Sequence, residues 1–128
     1  MTMQFRDNEA IYVQIANNVS ENILLGKWEE DGKISSVRDL ATEMQVNPNT
    51  VIRAYEFLES QEIIYTKRGL GFFVRQGALR RIKTTKRESF IEYDLPGFFR
   101  NMMLLEIGLE EVEKKYQSFK SKNLRNKE

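Results

Sequence analysis

The sequence predicts a mainly α fold with one small β-hairpin, and three observations predict it. Apolar residues recur every three or four positions through Ile11, Ile15, Val19 and Ile23, through Val37, Leu40, Ala41 and Met44, and through Val51, Ala54, Tyr55 and Leu58, the period of a helix with one buried face. Between 63 and 74 that period gives way to two β-favouring runs, Ile63-Ile64-Tyr65-Thr66 and Phe72-Phe73-Val74, around a glycine-bearing turn. Past residue 77 the sequence is helix-compatible again.

The first helix has Asp7 or Asn8 as its cap and Gly26 where a helix C′ residue belongs. Residues 27–33 are polar and read as a loop anchored by Trp28. Ser36 with Asp39 three residues on is a capping-box variant that opens the second helix. After a short break at Gln45-Val46, Asn47 caps the third helix and Pro48 fills its first position, where a missing N–H costs nothing. Two short helices across a tight turn, the second firmly capped, form a helix-turn-helix. The hairpin that follows, with Lys67-Arg68-Gly69-Leu70-Gly71 at its tip, makes it a winged helix-turn-helix.

Composition removes whole classes of function. The 128 residues include no Cys and no His, so thiol nucleophiles, disulfides, zinc-thiolate sites, imidazole ligands and a Ser-His-Asp triad are absent. No enzyme activity, cofactor or metal is expected. No apolar run approaches the roughly 20 residues that span a bilayer, and residues 1–6 lack a signal-peptide pattern, so a cytoplasmic protein without membrane contact is expected. The net charge of +1 is uninformative, but its distribution is not. Residues 1–76 are slightly acidic, whereas 77–91 hold Arg80, Arg81, Lys83, Lys86 and Arg87 against Glu88 alone.

The N-terminal end of the third helix is the candidate reading surface. Asn49, Ile52 and Arg53 lie off its apolar stripe, and no carboxylate occurs between Glu43 and Glu56. In a helix-turn-helix this end enters the major groove of double-stranded DNA, where Asn pairs with adenine, Arg with guanine or phosphate, and Thr50 with a phosphate or base edge. Arg38 is placed on the first turn of the preceding helix for a phosphate. At the hairpin tip, Lys67 and Arg68 suit phosphates, and Gly69 and Gly71 let the backbone come close. The residues leave a second reading open: a winged helix that binds another protein and no DNA, favoured by the acidic excess of residues 1–76.

Ile11-Tyr12-Val13-Gln14-Ile15, Ile34-Ser35-Ser36-Val37-Arg38-Asp39-Leu40-Ala41, Asn47-Pro48-Asn49-Thr50-Val51-Ile52-Arg53-Ala54-Tyr55 and Lys67-Arg68-Gly69-Leu70-Gly71-Phe72-Phe73-Val74 together resemble the DNA-binding domain of the GntR family of bacterial transcription regulators. Asn47 to Tyr55 followed by Leu58-Glu59 resembles its YtrA-type branch. The resemblance is collinear over about residues 9–75. It implies a sequence-specific regulator, most often a repressor, that binds a palindromic operator as a homodimer. It places Arg38, Asn49, Thr50 and Arg53 at the helix-turn-helix contacts, with the capping residues Ser36 and Asn47 beside them, and Lys67 to Gly71 in the minor groove. The chain departs from the family at Ala10, where Pro is usual, and at Ile34-Ser35, where Leu-Pro is usual. Gln45 and Glu62 stand at or near turn positions usually held by Gly, and Ile52 replaces a basic residue of some branches.

The C-terminal third reads as a helical dimerisation segment. Pro96-Gly97 is expected to interrupt or kink it, and Gly108 to separate a shorter helix over about 109–120. Ile91, Leu95, Phe98, Phe99, Met102, Met103 and Leu105 follow a helical seam. Two helices cannot enclose this much apolar surface, so a symmetric partner copy is the expected cover. The same aromatic and Met cluster has a second possible use, lining a small-molecule effector pocket. The basic stretch 77–91 is either the solvated face of a linker helix or a set of phosphate contacts. The expected organisation is a winged helix-turn-helix over 1–76, a helical linker and dimerisation module over 77–120, and a frayed polar tail over 121–128.

Overall fold

The computed structural model describes Phe5 and residues 9–126. In chain order the elements are α1 (Ile11–Leu24), α2 (Val37–Met44), α3 (Pro48–Ser60), β1 (Ile64–Lys67), β2 (Gly71–Val74), α4 (Ala78–Ser89), a π turn (Phe90–Asp94), α5 (Leu95–Leu104) and α6 (Leu109–Asn126). The described residues form two units, one reaching Lys86 and one starting at Arg87, a border later than the expected 76/77. The physical reason is that Ala78 and Ile82 of α4 are buried in the core of the first unit.

In that unit the apolar stripes do what their spacing predicts. Ile15, Val19 and Ile23 of α1 meet Leu40, Ala41 and Met44 of α2 and Val51, Ala54, Tyr55 and Leu58 of α3 in one cluster, closed by Ile64 and Val74 of the hairpin. β1 and β2 are antiparallel, with Ile64 opposite Val74 and Lys67 opposite Gly71. The stretch expected as loop contributes more than Trp28. Asp31 N–H donates to the Val74 carbonyl at 2.7 Å, Val74 N–H to Gly32 at 2.9 Å and Ile34 N–H to Phe72 at 3.0 Å, and Lys33 bridges to Phe73. This segment is therefore a short third edge to the hairpin. Asp31-Gly32-Lys33 has no strand alternation, because what orders it is a distant strand and not its own side chains.

The caps of α2 and α3 follow the sequence reading. Ser36 Oγ accepts from Asp39 N–H at 3.1 Å, and Asn47 Oδ1 accepts from Asn49 N–H at 2.8 Å. At α1 the N-cap is Ala10, which makes no side-chain cap, so the expected cap is corrected; Asp7 and Asn8 lie outside the described residues. Gln14 Nε2 instead reaches back to the Glu9 carbonyl at 2.8 Å.

Gln45 and Glu62 keep the left-handed turns that glycine would make, at φ 57° and 60°. Val46 N–H returns to Ala41 and Ile63 N–H to Leu58, each at 3.0 Å, the long bond of a Schellman motif. An L-residue pays for this conformation with steric strain. We therefore expect Gln45→Gly and Glu62→Gly each to stabilise the fold by about 0.5–1 kcal/mol, the strain relieved less the extra freedom glycine gives the unfolded chain. Urea unfolding midpoints check this; a lower midpoint would show that the turns are unstrained.

Tyr55 ties α3 to the segment before α2. Its hydroxyl donates to the Ser35 carbonyl at 2.7 Å, and its ring meets Phe72 edge-on at 4.8 Å. Burial, and secondarily the charge of Glu43, push its pKa upward from the ordinary 10.0. Below pH 10.0 its full contribution is present; above it the unfolded chain releases a proton that the folded chain keeps. Stability should then fall by up to about 1.4 kcal/mol per pH unit. Tyr55→Phe should cost about 1–2 kcal/mol at neutral pH and lack this alkaline component. Equal alkaline slopes in the two proteins would remove Tyr55 as its source.

In the second unit the helix passes through the region where Pro96-Gly97 was expected to interrupt or kink it. Leu95 N–H bonds to the Phe90 carbonyl, five residues back, and Pro96 lies in the first turn of α5. Proline lacks an N–H and its ring crowds the carbonyl four residues earlier; the wider π turn absorbs both. α5 ends at another left-handed residue, Glu106 at φ 56°. α6 runs through the polar residues of the expected tail as far as Asn126. Nothing there breaks a helix, and Asn123 Nδ2 donates to the Phe119 carbonyl at 2.8 Å.

Candidate nucleic-acid interface

Asn47 uses its side-chain oxygen to close the first turn of α3. Pro48 has no N–H, and the Asn49 and Thr50 N–H groups donate to Asn47 Oδ1 and to the Asn47 carbonyl at 2.8 and 2.9 Å, so what the 13-residue helix presents here is the positive end of its dipole. Asn49, Ile52 and Arg53 are exposed and Thr50 is half-buried. Among the described residues Arg53 forms no ion pair. Its guanidinium carbon stands 4.1 Å from the centre of the Tyr12 ring. Tyr12 in turn meets Phe57 edge-on at 6.0 Å. Ala10, Ile11 and Tyr12 from the start of α1 thus outline one shallow surface pocket with Asn49, Thr50 and Arg53.

Tyr12 was missed as a member of this site. It was visible only as a residue beside the apolar stripe of α1, and that α1 lies along the start of α3 is a tertiary fact. The contact matters because a stacked guanidinium loses less freedom when it takes a partner than a free one.

The other helix-turn-helix candidates divide by role. Ser36 is exposed, but its hydroxyl oxygen already serves as the α2 cap. Arg38, on the first turn of α2, is exposed. A second cluster forms on the hairpin. Leu70 N–H donates to the Lys67 carbonyl at 2.9 Å, closing a four-residue turn, and Gly69 holds the third position at φ +80°, the sign a type II turn requires. Arg68 is exposed beside it, whereas Lys67 folds back, its Nζ 4.7 Å from the Phe73 ring centre. At Gly71, φ is +120° and an added Cβ would sit 3.0 Å from Lys33 Cε. Gly71 is thereby the gap through which Lys33 crosses the hairpin, a third cation the sequence reading did not place there. The hairpin is fastened to α3 by Tyr55 against Phe72 and by Thr66 Oγ1, which donates to Glu59 Oε2 at 3.0 Å.

The basic stretch on α4 splits as well. Arg80 and Lys83 are exposed, but Arg81 Nη1 donates to the Glu62 carbonyl at 2.7 Å. In the second unit Ile91, Phe98, Phe99, Met103 and Leu105 are exposed while Leu95 and Met102 are half-buried. No described side chain beyond Ile82 is buried.

Comparison with known proteins agrees with this architecture. The family described as "Bacterial regulatory proteins, gntR family" matches residues 11–74. The uncharacterized HTH-type transcriptional regulator YhcF of Bacillus subtilis is 31% identical over 119 residues, 93% of this chain and 97% of that protein. The HTH-type transcriptional repressor YtrA of the same organism is 42% identical over 73 residues, 57% of this chain and 56% of that protein. A crystal structure of a GntR-family regulator from Bacteroides thetaiotaomicron superposes with a TM-score of 0.69 at 46% identity, covering 89% of this chain and 99% of that one. No described helix is long and apolar enough to cross a membrane. The chain belongs to the gntR family of bacterial regulatory proteins, which are DNA-binding transcription regulators and not enzymes.

Proposed function

We propose that this protein is a homodimeric repressor of the YtrA type that acts in the cytoplasm and binds a palindromic operator, one half-site to each subunit. The observation that carries the reading is the start of α3: a capped helix end free of carboxylates, with Asn49, Thr50 and a Tyr12-stacked Arg53 grouped on it. Arg38 and the positive end of α3 fix the register on phosphates, Asn49 and Arg53 read base edges, and Arg68, Lys67 and Lys33 follow the backbone at the adjacent minor groove. Gly69 and Gly71 let that turn approach closely. Asn47 and Ser36 contribute by holding the two helix starts.

The second unit supplies the pairing. Ile91, Phe98, Phe99, Met103 and Leu105 are exposed in the single chain, and Leu95 and Met102 are only half-buried. At about 25 cal/mol per Å2, covering several such side chains with the same face of a second copy is worth several kcal/mol. A two-fold pair of reading heads then requires a two-fold operator. The name of the B. subtilis repressor YtrA supports the repressor assignment.

Selection of bound sites from a random duplex pool tests the reading as a whole. The expected product is an inverted repeat with half-site centres about 10 base pairs, or a multiple of that, apart. Recovery of a single non-repeated site would remove the symmetric dimer. Absence of salt-dependent association with any duplex would favour the protein-interaction reading.

A further inference from the structure

We propose that the first unit carries a binding site for a small organic anion, a carboxylate on a compact apolar body, in the cleft where α4 crosses the C-terminal half of α3 and the middle of α1. The cleft has a volume of about 160 Å3. An apolar cavity of about 150 Å3 takes up benzene, so this space suits a ligand with a ring or a short branched chain. Ala16, Leu58, Ile63 and Ile82 form an apolar floor within a lining that also holds the uncharged polar Asn17, Ser20, Gln61 and Thr85. Among the described residues Arg81 and Lys86 are its only charged lining residues, and both are cations.

The guanidinium is held in place. Arg81 Nη1 donates to the Glu62 carbonyl at 2.7 Å, a carbonyl set by the left-handed turn that ends α3. Nη2 lies 3.2 Å from where a Cβ on Gly77 would be, so Gly77 leaves the space the fork occupies. One donor of five is used, and among the described residues neither Arg81 nor Lys86 forms an ion pair. A fixed fork with spare donors beside an apolar floor matches a carboxylate whose tail is hydrophobic. Inorganic phosphate would leave the floor unused, and a neutral ligand would leave the cations unmatched. The walls come from α1, α3 and α4, so an occupant would brace α4 against the helix whose other end carries Arg53.

Benzoate, isovalerate and the neutral ring benzyl alcohol are suitable probes for an amide-resolved NMR titration of the full chain. Benzoate or isovalerate is expected to give saturable millimolar binding that moves the amides of Ala16, Leu58, Ile63 and Ile82. Benzyl alcohol should bind at least about tenfold more weakly than benzoate, a difference of 1.4 kcal/mol. Lys86→Gln and Arg81→Gln should each weaken the carboxylate and leave benzyl alcohol unchanged. Among the described residues Lys86 makes no hydrogen bond or ion pair, so its variant remains informative even if the Arg81 variant is destabilised. Equal affinity for benzoate and benzyl alcohol, carboxylate binding indifferent to Lys86→Gln in the folded protein, or saturable shifts at other amides alone would each overturn the proposal. So would the absence of saturable shifts with both carboxylates.

Discussion

Phe98→Asp combined with Met102→Asp is expected to sediment as a monomer and to bind the operator about 10²–10⁴-fold more weakly than the wild type, the avidity lost when two linked half-site contacts become one. The reason lies in what the two side chains touch within their own chain. Phe98 is 46% exposed, and its ring lies 6.2 Å from that of its neighbour Phe99. Met102 is half-buried one turn on. In a monomer, carboxylates there would face water at little cost. In a symmetric interface they would be buried next to their own two-fold images, where desolvation and like-charge repulsion act together. Thermal unfolding of the first unit should change little, since its core ends at Ile82. A dimer mass for the double variant would remove this seam as the interface, and a monomer with undiminished operator affinity would remove the avidity.

The second large effect concerns Arg53. Arg53→Ala is expected to weaken operator binding by about 1–3 kcal/mol, roughly 5- to 150-fold, and to relax preference at one base pair of each half-site. Arg53→Lys should recover the salt dependence but not the base preference, since an ammonium has no planar fork for the guanine edge. Tyr12→Leu separates positioning from contact. It removes the ring 4.1 Å from the guanidinium, so affinity should fall by about 0.5–1 kcal/mol with the preferred base unchanged. Equal losses on operator and random duplex for Arg53→Ala would confine Arg53 to the backbone.

Much of this was legible from local chemistry. Ser36 and Asn47 announce their helices because capping is a relation between residues two or three apart, and the hairpin is visible because Gly69 and the flanking β-favouring runs lie within twelve positions. What escaped is non-local. The edge formed by Asp31 to Ile34 is ordered by β2, some forty residues away. Lys33 reaches the hairpin only because Gly71 leaves a gap for it, and Tyr12 reaches Arg53 only because α1 packs on α3. The left-handed turns at Gln45, Glu62 and Glu106 carry no glycine to mark them. The π turn before Pro96 is one of several ways a helix can accept a proline, and the sequence does not choose among them.

The central claim is that the start of α3 and the hairpin tip engage one duplex together. The chain has no cysteine, so single-cysteine variants at Ile52 and at Leu70, both exposed, can each carry a tethered iron chelate that cuts nearby DNA. On the selected operator both positions should cut within the same half-site, Ile52 from the major groove and Leu70 from the flanking minor groove, less than about one helical turn of 10 base pairs apart. Cleavage from position 52 with none from position 70 would contradict the claim, as would cuts from position 70 scattered without relation to the half-site.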